Sequence, residues 1–358
     1  MTETSLESVP TGKRSIWTRI PVIHQLRQSV GLQRGMLIAG LVITGVFVLV
    51  AILAPVIAPY GYAQLSDAHG QFGAQQPPSG AHIWGTTVGG FDVFSRVLWG
   101  AQTALVVIIV SVLLSIFAGI FLGLVSGYLG GWLDRILVVV CDAIYAFPSL
   151  LLAIVMAIVI SGGQSGFWSG IFAAAISITV VFIPQYFRVI RAEAVRIKAE
   201  AYVESAKVIG ASNSRIMFRH VFRNSTRTLP LIFTLNSSEA VLTLAGLGFL
   251  GFGIEPTSAS EWGFDLNKAL SDVTSGIWWT ALFPGLAIVL GVLGITLVGE
   301  SLNDLADPRL RGRRAVGGTA GVVAATSVVP GGTLTAGPGG LGGLEGGLAG
   351  GRALEVRP

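Results

Sequence analysis

The sequence predicts an all-α integral membrane protein with six transmembrane helices, on three observations. Only 12% of its 358 residues are charged, against about 25% in soluble domains, so it lacks the polar surface of a large soluble fold. Hydrophobic residues make up 52% of the chain, and its mean hydropathy is +0.73. Its charge-free runs are long enough to cross a bilayer as helices, which takes about 20 apolar residues each.

Residues 1–35 read as a basic cytoplasmic segment carrying Lys13, Arg14, Arg19, Arg27 and Arg34. No apolar core lies near its start, so it does not have the pattern of a cleavable signal peptide. Trp17, Ile20, Val22, Ile23 and Leu26 among these charges fit either a helix on the membrane surface or a flexible basic tail. The first span is 36–58, followed by an external loop at 59–97. A membrane domain over 98–310 carries spans at 101–127, 137–160, 168–188, 229–251 and 280–302. The long apolar run after residue 142 is divided by Ser161-Gly-Gly-Gln-Ser-Gly166, a turn signal. Pro148, Pro184 and Pro284 fall inside spans and are expected to kink them. The remainder, 311–358, is glycine-rich and aperiodic, which predicts a disordered cytoplasmic tail.

Lys and Arg set the orientation, because cytoplasmic loops carry the excess. Of the 23 in the chain, only Arg96 and Lys268 fall on the outer side of this arrangement. Both termini are therefore expected in the cytoplasm, together with the charged segment between the fourth and fifth spans. The apolar spans imply contact with membrane lipid, and no nucleic-acid partner is expected.

That segment, Glu200–Asn224, reads as a helical hairpin. Tyr202, Val203, Ala206 and Ile209 share one helical face. Gly210 suits the left-handed residue that ends a helix, and Ser212 or Asn213 suits the cap of the next. Met217, Phe218, Val221 and Phe222 form a second stripe, with Arg215, Arg219 and Arg223 beside it. Such a hairpin serves either as a basic membrane-surface loop or as a knob whose apolar stripe docks in a partner's groove.

Chemistry in the chain itself is limited. None of its four lysines lies in a phosphate-binding GxxxxGK[ST] loop, so it is not an ATPase. His24, His69, His82 and His220 are scattered, with no metal-ligand spacing; His69 and His82 share an external loop and read as solvated. The single cysteine, Cys141, excludes an internal disulfide and reads as a small packed hydrophobe. No bound metal or cofactor is expected. Glu239 lies mid-span, where a charge costs about 2.5–3.5 kcal/mol. It should line or gate a water-filled path, or bond to Ser237, Ser238 or Thr243.

The order Glu204-Ser-Ala206, then Gly210, resembles the EAA loop of ABC importer permeases, over residues 198–226. The proline closing that family pattern is absent; Val221-Phe-Arg223-Asn stands in its place. Gly85-Thr-Thr-Val-Gly-Gly-Phe-Asp-Val-Phe-Ser-Arg96 is similar to a segment of dipeptide, oligopeptide and nickel permeases, departing at Thr87 and Phe91. Gly127-Tyr-Leu-Gly-Gly-Trp-Leu-Asp134, Ala146-Phe-Pro-Ser149, Leu247–Pro256 and Asp307-Pro-Arg-Leu310 resemble the same group. Together they resemble its second, C-type, permease subunit.

The resemblance implies an ABC type-1 (MetI-like) architecture in a bacterial inner membrane. It implies a homologous second permease subunit, two ATP-binding subunits that use ATP and Mg, and an extracytoplasmic substrate-binding protein. Glu204, Ala206, Gly210, Ser212, Arg215, Phe218 and Arg219 would belong to the ATPase-coupling loop. Glu255, Glu261, Trp262 and Asp265 are expected to contact the binding protein. Trp278 and Trp279 read as an interfacial belt. Peptide is the expected substrate, with nickel, haem or another small ligand as the alternative. An ion-driven secondary transporter would need inverted repeats or more intramembrane charges.

Overall fold

The computed structural model describes residues 32–162, 167–226 and 229–306. The basic segment before residue 32 and the glycine-rich tail from 307 onward lie outside the described residues. The described chain is nearly all helix: α1 (Leu32–Ile57), α2 (Val93–Leu129), α3 (Gly131–Ala146), α4 (Ser149–Ser161), α5 (Phe167–Lys198), α6 (Ala201–Val208), α7 (Asn213–Ile216), α8 (Phe222–Ser225), α9 (Leu229–Phe249), α10 (Trp262–Lys268), α11 (Leu270–Thr274) and α12 (Trp279–Ala306). A two-stranded antiparallel hairpin, β1 (Ser66–Asp67) and β2 (Gly70–Gln71), sits between α1 and α2.

Helices α1, α2, α5, α9 and α12 are each long and apolar enough to cross a membrane. The third predicted span is not one helix. It is the pair α3 and α4, bent by 100°. The cause is local: Phe147 precedes Pro148, and a residue before proline is pushed out of the helical region. Phe147 is extended at φ −80°, ψ 141°, which ends α3. Pro184 and Pro284, by contrast, stay within continuous helices.

Two helices outrun their predicted spans. At 1.5 Å per residue, α2 is about 55 Å long, well beyond the roughly 30 Å hydrocarbon layer. It starts where Asp92 caps it through the Ser95 N–H and stops at Gly130, φ 71°. Helix α5 continues through its basic end to Lys198, supported by ion pairs of Arg191 with Asp134 and of Arg196 with Glu193.

The core lies between α2 and α5. Gly119, Gly123 and Gly127 form a seam on α2 that lets the two backbones meet. A Cβ on Gly123 would lie 2.9 Å from Ile190 Cβ and from the Phe187 carbonyl oxygen; one on Gly127 would lie 2.8 Å from Ala194 Cβ. Buried Ile178, Phe182, Tyr186 and Ile190 of α5 line this contact. Cys141 is buried, as a packed hydrophobe should be. At one end of the bundle, residues 58–92 and 250–278 form a cap. At the other, α6 to α8 form the hairpin.

Candidate coupling surface and pathway face

The hairpin forms as its glycine predicts. Gly210 has φ 83°. Its N–H donates to the Lys207 carbonyl and the Ala211 N–H to the Ala206 carbonyl, both at 3.0 Å. This pair of bonds is a Schellman closure, which satisfies the last carbonyls of α6. Ser212, not Asn213, caps α7, accepting from the Arg215 N–H. The second half is not one regular helix. Met217–Val221 form a π-helical turn between α7 and α8, which breaks the simple four-residue spacing of Arg215, Arg219 and Arg223.

The expected docking stripes are redistributed. Val203, Ala206, Ile216 and Val221 are buried against Leu124, Tyr128, Ile190 and Ala194. Ala206 therefore anchors the hairpin to its own bundle rather than facing outward. The apolar groups that project are Val208, 87% exposed, and Ile209, 84% exposed, with Phe218 beside the second helix. Around them Glu204, Arg215 and Arg219 are exposed. Among the described residues none of these three forms an ion pair.

Polar bonds tie the hairpin to the long helices. Tyr128 Oη donates to Asn213 Oδ1 at 2.9 Å, and Lys198 Nζ donates to the Tyr128 carbonyl at 2.6 Å. Arg191 pairs with Asp134 through Nε and Nη2 at 2.6 and 2.8 Å, and Ser126 also donates to Asp134. Asp142 pairs with Arg188 at 2.9 Å and is largely exposed. These bonds join the hairpin to α2, and α2, α3 and α5 to one another.

Glu239 is half-buried on α9, on one face with exposed Leu235 and Leu242. The hydroxyls expected to bond it are engaged elsewhere. Ser237, Ser238 and Thr243 donate to the carbonyls of Phe233, Leu235 and Glu239. Among the described residues no cation pairs with its carboxylate. An ionisable group on an otherwise apolar face of a spanning helix is costly against lipid.

At the cap end, three of the four residues expected to meet a binding protein turn inward. Glu261 is buried and caps α10, accepting from the Gly263 and Phe264 N–H groups at 2.8 and 2.7 Å. Trp262 is 4% exposed; its indole donates to the Val97 carbonyl and packs on Phe47. Asp265 holds Arg96, whose Nε donates to both carboxylate oxygens at 2.8 and 2.9 Å. Arg96 is 1% exposed, and its Nη1 also donates to the Tyr62 and Pro256 carbonyls. Only Glu255 keeps an exposed side chain. The reason is packing: these acids lie beside Arg96 and the N-terminus of α10, and those bonds offset part of the cost of burying them.

His82 is also not solvated. It is buried, with Nδ1 2.9 Å from Asp92 Oδ1, while His69 stays exposed in the β-turn. No group of three His, Cys, Asp or Glu side chains converges among the described residues. Trp279 donates its indole N–H to the Thr86 carbonyl, and Trp278 is exposed beside it.

Burial pushes the Glu261 carboxyl up to about 8, against the pull of its two backbone N–H bonds. Burial pushes Asp265 up as well, against Arg96. A raised carboxyl binds its proton more tightly in the folded cap. Its contribution is complete below about pH 4.5 and is lost as pH rises through about 8. Thermal unfolding should therefore show a cap less stable at pH 9.5 than at pH 6. Glu261→Gln should be weaker at pH 6, having lost one N–H bond, and should fall less than the parent between the two. A wild-type midpoint that does not fall at pH 9.5 contradicts the assignment.

Comparison with known proteins accords with this geometry. Residues 119–312 match the family described as binding-protein-dependent transport system inner membrane component. Residues 33–78 match the N-terminal TM domain of oligopeptide transport permease C. This chain belongs to the binding-protein-dependent transport permease family. It is similar to the glutathione transport system permease protein GsiD of Pectobacterium atrosepticum, 34% identical over 308 residues, covering 85% of this chain and 94% of the relative. The Salmonella typhimurium GsiD is 36% identical over 309 residues, covering 86% and 93%. That of Escherichia coli O6:K15:H31 is 36% identical over 268 residues, covering 74% and 84%.

The protein is thus a non-catalytic permease subunit of an ABC importer for a small molecule, with the helices of a multi-pass inner-membrane protein. Two features of this permease escaped sequence reasoning. The glycine seam of α2 does leave a sequence signal, glycines spaced by four within an apolar run. The Arg96–Asp265 pair was not, beyond the oddity of an arginine bordering a span.

Proposed function

We propose that this permease is the second, C-type, subunit of a peptide importer. The observation that carries coupling is the hairpin: Val208 and Ile209 project from an element anchored in the bundle, ringed by unpaired charges. An exposed apolar tip of that kind fits a groove on a partner. In this reading the hairpin faces the cytoplasm and docks one of two ATP-binding subunits, which use ATP and Mg. A homologous permease encloses the pathway, and an extracytoplasmic binding protein delivers substrate at the cap, near Glu255. ATP-driven closure pushes the hairpin, and Tyr128, Asn213 and Lys198 pass that push to α2 and α5. Peptide is favoured by the oligopeptide-permease match and by relatives named for glutathione, itself a tripeptide.

Glu239 lines the pathway in this reading. Replacing it with leucine removes an intramembrane charge and should not lower the amount of protein in the membrane. Uptake should nevertheless fall about tenfold, the effect of losing roughly 1.4 kcal/mol of favourable contact. Unchanged uptake in the Glu239→Leu chain would place the residue outside the pathway.

The substrate is tested by uptake of labelled tripeptides, glutathione included, in cells lacking this chain, with nickel followed in parallel. Loss of peptide uptake alone, restored by the intact chain, is the expected result. Loss of nickel uptake alone overturns the peptide assignment and leaves the importer standing.

A further inference from the structure

A cavity of about 380 Å³ opens at the cap end of α2, lined by Tyr62, Trp99, Gln102, Val106, Ile171 and Ser260 among others. Small-molecule sites typically occupy about 300–1,000 Å³ and are mostly apolar, with a few placed polar groups. Among the described residues no Asp, Glu, Lys, Arg or His side chain lines this one. Most of its polar groups are already engaged. The Trp99 indole donates to the Tyr60 carbonyl, Thr103 to the Trp99 carbonyl, and Ser260 to the Arg96 carbonyl. The Gln102 amide is the exception: it is half-buried, and no hydrogen bond from it is found among the described residues.

Gln102 and Val106 head a stripe that continues down the same face of α2 as exposed Ile109, Leu113 and Phe117. Against lipid tails, an unpaired amide at the top of this stripe would lose its hydrogen bonds without compensation. The amide therefore calls for water or a polar ligand at the cap end of this face, where the cavity opens.

We infer that this cavity is a subsite for one uncharged side chain of the transported peptide, with the Gln102 amide bonding the peptide backbone beside it. The inference rests on the peptide reading above. Aromatic and aliphatic walls favour an apolar side chain, and the uncharged lining leaves a charged one without a partner.

The test uses the full transport complex in cells whose own copy of the chain is replaced by a variant. Uptake of labelled triglycine, Gly-Leu-Gly and Gly-Lys-Gly is compared. Val106→Trp fills the cavity; it should cut Gly-Leu-Gly uptake at least about tenfold, as expected for a lost apolar pocket, while sparing triglycine. Gln102→Glu places a carboxylate at the rim and should shift preference toward Gly-Lys-Gly. Equal scaling of all three peptides in both variants overturns the subsite and assigns the cavity to packing against another subunit. Unaltered uptake in both also overturns it. A wild-type chain that imports none of the three defeats the peptide reading itself.

Discussion

Replacing Arg96 with methionine should collapse the cap. The guanidinium is almost fully buried, donates to both oxygens of Asp265 and to two backbone carbonyls, and lies 4.9 Å from the Phe91 ring centroid. Removing one partner of a buried pair leaves the other charge uncompensated and costs about 3–5 kcal/mol. The four bonds join α2, the segment after α1, the loop after α9, and α10, so the loss is not local. Protease cleavage in the 250–278 segment should rise sharply in detergent, and the unfolding midpoint should fall. Arg96→Met combined with Asp265→Leu should recover part of that loss, because the stranded carboxylate is gone. Recovery stays incomplete, since the Tyr62 and Pro256 carbonyls also lose a donor. A single variant as stable as the parent would mean that the pair does not hold the cap.

Gly123→Leu should separate α2 from α5. The position has no room for even one carbon, with Ile190 Cβ and the Phe187 carbonyl both 2.9 Å from where a Cβ would stand. Overpacking costs about 1–3 kcal/mol in a core that can shift, and more where backbone meets backbone. Here the obstruction includes a main-chain carbonyl, so the helices must move apart. The seam also borders Leu124, Tyr128 and Ile190, against which the hairpin packs, so the proposed coupling would run across it. Uptake should therefore be lost together with thermal stability, and Gly123→Ala should show a smaller version of both. A leucine variant with normal stability and uptake would show that the seam tolerates spacing the structure does not contain.

The spans were legible because a bilayer imposes one demand, a long apolar helix, and charge-free runs report it directly. What the bilayer does not dictate was harder to read. The ends of α2 and α5 depend on Gly130 and on ion pairs outside the apolar stretch, so the hydrophobic run alone stops them too early. The break at Phe147-Pro148 was visible as a proline, but whether a proline kinks or ends a helix depends on neighbours. Gly210 and Ser212 act as their local chemistry predicts. Ala206 turns toward its own bundle, because helical spacing fixes which residues share a face and not which face turns outward. Glu261, Trp262 and Asp265 lie in a loop predicted to be external, which places them on the side a binding protein would approach but does not show which way each side chain turns. Their partners lie far along the chain: Arg96 is 169 residues from Asp265, a separation that pattern reading does not bridge.

Coupling through the hairpin is tested most directly by placing a charge on its exposed tip. Val208→Asp with Ile209→Asp changes two side chains that touch little of their own protein, so the chain should reach the membrane in normal amounts. Affinity purification of this doubly substituted chain, expressed with its ATP-binding subunits, gives the decisive ratio. Docking at the hairpin predicts that the ATP-binding subunits co-purify at least about tenfold less well than with the parent, with uptake lost in proportion. Undiminished co-purification and uptake would contradict it, and the hairpin would then be only a basic loop at the membrane surface.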